Sequence, residues 1–153
     1  MTARNIALFA ALCSISMLLG AFAFQYIGGM APCKLCIWQR WPHGLAFAVG
    51  VVAFFWPQRL LYLVGAALVL FGAVVAFYHA GVELQYWQGP TTCTSQGISG
   101  MSADDLMNQI MNAPLVRCDE IPWSMFGISM AGWNGIASVG FVGLWILAFL
   151  KRD

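Results

Sequence analysis

Residues 5–33 carry no charged side chain. About 20 apolar residues, rising 1.5 Å each in a helix, cross a hydrocarbon core of about 30 Å. Hydrocarbon offers no partner to a bare amide or carbonyl, so a lipid-spanning run of this kind is helical. The run is too long for the apolar core of a secretory leader, and only Ala21-Phe22-Ala23 resembles a cleavage site. The composition agrees: the chain is 61% hydrophobic and 8% charged, whereas a soluble domain is about 25% charged. The net charge of +1 and the lack of a basic patch argue against a nucleic-acid partner.

The expected architecture is an all-α membrane protein, a four-transmembrane-helix bundle forming one domain over residues 1–153. The spans lie at about 6–27, 41–56, 60–79 and 124–150, with outer loops at 28–40 and 81–123. Gly28-Gly29-Met30-Ala31-Pro32 breaks the first helix. Pro57-Gln58-Arg59 is so short that spans 2 and 3 form an antiparallel hairpin. Gly65 and Gly72 suit close helix contact in lipid, or simply reflect how common glycine is in membrane helices. The last span begins at Ser124 or at Trp133, because Pro122, Gly127 and Gly132 loosen its start.

The second outer loop contains a helix start, Ser102-Ala103-Asp104-Asp105. Met107, Ile110 and Met111 follow on one face, and Pro114 ends the pattern. This spacing predicts a short amphipathic helix, lying on the membrane surface or packed on the protein itself. Trp38, Trp41, Trp56, Tyr62, Tyr86, Trp87 and Trp123 fall near the span ends, as interfacial belts do.

Four spans put both termini on one side, with Arg4, Arg59, Lys151 and Arg152. Lys34, Arg40 and Arg117 lie on the other. That charge bias is small, and the cysteines decide more strongly. Cys33, Cys36, Cys93 and Cys118 all fall on the loop side, and disulfides persist outside the cytosol. The termini are therefore expected in the cytoplasm and both cysteine loops outside.

Cys33-Lys34-Leu35-Cys36 can close a small disulfide ring or bind a metal. Zinc sites built on thiolates usually carry ligand pairs at short spacing, and only one such pair exists here. Passing electrons through disulfides needs two dithiol pairs that can meet. Cys33 and Cys36 sit at a span, where a lipid-soluble acceptor can reach them. Cys93 and Cys118 sit in the longer loop, where a soluble partner can. If helix begins near Cys36, then Cys36, Arg40 and His43 share a face, although Pro42 would kink so early a start. A thiolate there would gain from the helix dipole and from Arg40. The other readings are a zinc-binding protein and a disulfide-stapled structural membrane protein without turnover. Cys13, inside an apolar run, reads as an inert hydrophobe.

Pro32-Cys33-Lys34-Leu35-Cys36-Ile37-Trp38-Gln39-Arg40 resembles the first outer loop of the DsbB family, membrane enzymes of disulfide bond formation. Tyr78-His79-Ala80-Gly81-Val82-Glu83, Gly89-Pro90-Thr91-Thr92-Cys93 and Cys118-Asp119-Glu120-Ile121-Pro122-Trp123 are similar to its second loop, and the likeness runs on to Asn134. Gln39 departs from the enteric branch, which carries glutamate there. The resemblance implies a quinone-dependent thiol oxidase of the bacterial inner membrane with four catalytic cysteines. Cys93 would form a mixed disulfide with a periplasmic thioredoxin-like oxidase of the DsbA kind, with Cys118 as its partner. Cys33 and Cys36 would couple to ubiquinone or menaquinone, with Arg40, His79 and Glu83 around that quinone. The resemblance implies no metal.

Overall fold

The computed structural model describes residues 2–90, 102–111 and 116–151. The elements are α1 (Ala3–Tyr26), α2 (Lys34–Phe55), α3 (Arg59–Glu83), α4 (Ala103–Met111), β1 (Ser124–Met125), β2 (Ile128–Ser129) and α5 (Met130–Leu150). The four long helices close a ring in the order α1, α2, α3, α5, each packed on two neighbours. α1, α3 and α5 are long and apolar enough to cross a membrane, with mean hydropathies of 2.3, 2.6 and 1.7. Many large apolar side chains on these helices face outward, among them Phe9, Leu19, Phe71, Val74 and Leu147. Lipid, not water, accepts such a surface.

The ring is tight because its inner face is made of small residues. Ala3, Ala7, Ala10, Ala11 and Ser14 are the buried stripe of α1. Trp145 of α5 is fully buried in the same core. Gly65 makes room for its ring: a Cβ there would meet the indole at 2.6 Å. Gly72 lies against the ring of Pro42. Both glycines thus serve as close-contact points, each against a bulky residue of another helix. At the charged end, Arg59 donates to the carbonyl of Phe149 at 3.0 Å and ties the start of α3 to the end of α5.

Three boundaries differ from the sequence reading. α2 begins at Lys34, not near Trp41, because Cys33 caps it, and the helix runs through Pro42. Proline removes one intrahelical bond, and here its ring is buried instead. α3 continues four residues past His79 to Glu83. Residues 124–129, expected at the head of the last span, form a two-stranded hairpin. Its turn residues Phe126 and Gly127 both have positive φ, 53° and 76°, the geometry of a type I′ turn. Ser129 then caps α5 by accepting the amide of Gly132 at 3.2 Å.

Met107 and Met111 on α4 are exposed. Tyr62, read as an interfacial anchor, is 3% exposed and lies in the core beside Ala66 and Trp145. It starts the buried face of α3, so the inward stripe overrides its polar tip.

Candidate active site

Cys33 has extended backbone, and its sulfur accepts the Cys36 amide at 3.1 Å. A thiol here takes the capping role usual for serine or asparagine. Cys36 follows in the first turn, before the apolar part of α2, where unbonded N–H groups concentrate positive potential. The two sulfurs are 2.7 Å apart, and both are free thiols.

The pair is unequal. Cys36 is pushed below the ordinary thiol range, first by the hydrogen bond from the Cys33 sulfur, with burial opposing. Cys33 is pushed up by the same bond and by burial. Of the two thiols, Cys36 gives up its proton the more readily. Arg40 acts in the same direction but contributes least of the causes. Its guanidinium is turned to α1: it donates to Gln25 and to the carbonyl of Ala21, and stands 5.1 Å from the centre of the Phe22 ring.

This asymmetry has a measurable consequence. In the reduced protein, alkylation of Cys36 by iodoacetamide is expected to stay fast as pH falls below the usual thiol range of about 8.5. In Cys33→Ala the hydrogen bond is lost, and the profile should move up toward that range. Mass spectrometry of the Cys36 peptide reads both rates. Superimposable profiles would eliminate the Cys33 bond as the cause.

Cys118 is fully buried. The sulfurs of Cys33 and Cys118 and a ring nitrogen of His79 all lie within 4.8 Å of one another. Leu35 and Val82 seal this cluster. The loop carrying Cys118 is braced by Arg117, which donates to Asp119 at 2.8 Å and pairs with Glu120 at 3.1 Å. The guanidinium holds the Asp119 carboxyl below its ordinary value. Gln85 donates to the Asp119 carbonyl across from α3. Cys93 lies outside the described residues.

His79 and Glu83 share a buried face of α3, 3.9 Å apart. From His79 a polar chain runs inward. Gln39 Nε2 meets His79 Nδ1 at 2.8 Å, Asn134 donates to Gln39 Oε1 at 2.7 Å, and Asn134 Oδ1 meets His43 Nε2 at 3.0 Å. Ser138 bonds the same Asn134 oxygen at 3.4 Å. With Gln39 donating to Nδ1, the His79 proton sits on Nε2, 3.5 Å from the Cys33 sulfur. Ser129 hydrogen-bonds the Glu83 carboxylate.

Sequence reasoning singled out the cysteines, Arg40, His79 and Glu83, and six of these seven are described here. It gave no role to Gln39, Asn134, Ser129 or Ser138. A signal existed for Asn134 and Ser138: polar side chains inside an apolar run have to find partners in the bundle. Cys36, Arg40 and His43 do line one cavity, as an early helix start required. That cavity, about 400 Å³, lies between α1, α2, the end of α3 and α5. Its walls include Leu18, Phe24, Trp123 and Met130, with polar points at Ser16, Cys36, Gln39, Arg40, His43, His79, Glu83 and Asn134. A mainly apolar cleft with placed polar groups is the usual site for a small hydrophobic molecule.

The chemistry available is thiol–disulfide exchange between Cys118 and the Cys33–Cys36 pair, beside an apolar cavity. Comparison with known proteins points the same way. The family model described as disulfide bond formation protein DsbB matches residues 3–148. The disulfide bond formation protein B of Hahella chejuensis is 27% identical over 148 residues, covering 91% of this chain and 89% of that protein. That of a Polaromonas species is 27% identical over 164 residues, covering 98% and 94%. That of Haemophilus influenzae is 32% identical over 122 residues, covering 74% and 67%. With Cys33, Cys36 and Cys118 gathered in this way and the match running nearly end to end, the chain belongs to the DsbB family of membrane disulfide bond formation proteins.

Proposed function

We propose that this membrane disulfide oxidoreductase is quinone-coupled and reoxidises a periplasmic thioredoxin-like dithiol oxidase of the DsbA kind. It sits in the bacterial inner membrane with α2 as a fourth span, both termini cytoplasmic and the cysteine loops periplasmic. α4 rests on the outer membrane surface. The observation carrying this reading is the approach of Cys118 to Cys33, with Cys36 facing the cavity.

A thiolate of the reduced partner attacks Cys93 of a Cys93–Cys118 disulfide, forming a mixed disulfide and releasing Cys118 as thiolate. The partner's second thiolate resolves that bond and leaves oxidised, with Cys93 released. Cys118 attacks Cys33 of the Cys33–Cys36 disulfide, and Cys36 departs as thiolate. Cys36 departs in the first turn of α2, where the helix N-terminus favours a thiolate. Cys93 then attacks Cys118, restoring the outer disulfide and freeing Cys33.

The residues present fit a quinone: the cavity is apolar, opens beside the Cys36 sulfur, and carries Arg40 and His79 on its wall. Such a group supplies an acceptor for two electrons and two protons. Arg40 holds a fixed positive charge at that wall. His79 keeps a proton at Nε2, and Glu83 stands behind it. The apolar walls exclude water from the thiolate.

The test is anaerobic mixing of oxidised protein with a reduced thioredoxin-like partner while quinone absorbance is followed. Absorbance should fall in step with oxidation of the partner; partner oxidation at constant quinone absorbance would end the proposal. Arg40→Ala should slow quinone reduction by about 10- to 100-fold, the effect of losing one charge-assisted hydrogen bond of about 1.5–3 kcal/mol. Exchange with the partner should be nearly unchanged. Equal loss in both steps would count against this role for Arg40.

A further inference from the structure

The reduced site has a second chemistry. We infer that the reduced protein binds one thiophilic divalent cation, Zn²⁺ by its ligand type, through Cys33, Cys118 and His79, and that this cation and the inner disulfide exclude each other. Zn–S bonds of about 2.3 Å and Zn–N bonds of about 2.0–2.1 Å set tetrahedral edges of about 3.8 Å for S···S and about 3.5 Å for S···N. Cys33 Sγ and His79 Nε2 are 3.5 Å apart, and all three donor atoms lie within 4.8 Å of one another. The Cys33–His79 edge already has the required length, and the others close with small side-chain rotations. All three residues are buried, so the site is shielded from competing water.

Glu83 supplies an independent reason. Its carboxylate lies 3.9 Å from His79 Nε2, and Oε2 is buried with no hydrogen-bond partner among the described residues. A buried acceptor left without a donor is costly. A cation, or a water bound to it, removes that cost. The polar chain behind His79 permits the tautomer that a metal needs, in exchange for the hydrogen bond the ring makes to the Cys118 backbone. A metal needs the lone pair at Nε2, so the ring proton must move to Nδ1. Turning the amides of Gln39 and Asn134 over exchanges their donors and acceptors with no shift of heavy atoms. Gln39 then accepts from Nδ1–H, the support that metal-bound histidines usually have.

Binding displaces the two thiol protons and moves no electron. Cys33 cannot hold the cation as a thiolate and also be part of a disulfide, so oxidation ejects the metal. The binding itself depends only on these side chains. Its consequence, that Zn²⁺ halts thiol oxidation until a chelator removes it, rests on the function proposed above.

The experiment uses Co²⁺ as a spectroscopic probe on full-length reduced protein in detergent, followed by competition with Zn²⁺. One Co²⁺ per chain should bind, with thiolate charge-transfer bands and the intense visible bands of a tetrahedral site. Oxidised protein should show neither. Cys118→Ser and His79→Ala should each weaken binding by about 100-fold or more, and Glu83→Gln by about 10-fold. Cys36→Ser and Cys93→Ser should keep the spectrum. No cobalt spectrum in the reduced protein, or its loss in Cys93→Ser, would overturn the assignment. Quinone reduction by metal-free protein is measured separately, so its failure refutes the proposed function and leaves the metal result standing.

Discussion

The Cys36→Ser protein is expected to oxidise one equivalent of reduced partner and then stop. Its outer pair can still form and accept one pair of electrons. Its inner pair cannot close, so nothing carries those electrons to the cavity. Steady-state turnover should fall by about 1,000-fold or more, the scale seen when a reacting nucleophile is removed from a group that works as a unit. Single-turnover partner oxidation should keep nearly its normal amplitude. The serine hydroxyl is close in size to the thiol, and Cys36 is only partly buried, so the fold should survive. Cys33 loses its hydrogen-bonded sulfur but keeps the Cys36 amide contact. Turnover above background in Cys36→Ser would move the electron exit to another sulfur.

The second large effect concerns Gly50, where α2 crosses α1. A Cβ at Gly50 would lie 2.3 Å from the Ala11 methyl, 3.3 Å from the Ala7 carbonyl oxygen and 3.4 Å from the Trp145 ring. Carbon atoms pack at about 3.5–4.0 Å, so the two helices must separate by more than an ångström. Neither a methyl nor a backbone carbonyl can rotate away. Gly50→Ala gains about 1 kcal/mol of helix propensity, yet overpacking a tight interface costs about 1–3 kcal/mol. The net expectation is a lower unfolding midpoint in detergent, with Gly50→Leu failing to assemble. Gly140, also helical, has nothing within 4 Å of its would-be Cβ. Gly140→Ala should therefore be neutral or stabilising. A Gly50→Ala midpoint equal to that of Gly140→Ala would refute the packing argument.

Local pattern reached far in this chain because lipid leaves few options. Uncharged runs must become helices, and a connection as short as Pro57-Gln58 makes neighbours antiparallel. Two cysteines three positions apart can meet within a single turn of chain. Periodicity also placed Met107 and Met111 on one exposed side of α4.

The boundary at Cys33 was not legible. Proline at position 42 argues locally for a later start, and only the fit of its ring against Gly72 shows why the helix passes through it. The direction of Arg40 was not legible either, since Gln25 and Phe22 that hold it belong to α1.

What the amino-acid sequence determined by itself is the membrane class, the helical runs and the presence of a C-x-x-C pair beside a span. These follow from short-range rules of hydrogen bonding and hydropathy. What the tertiary structure alone decided is that Cys118 lies against Cys33 and that Gln39, Asn134 and His43 link into one buried chain. Those partners are 40 to 95 positions apart, and periodicity cannot say which faces of different helices will meet. Packing of the small-residue stripes chose the faces, and the polar groups stranded by that choice had to find one another.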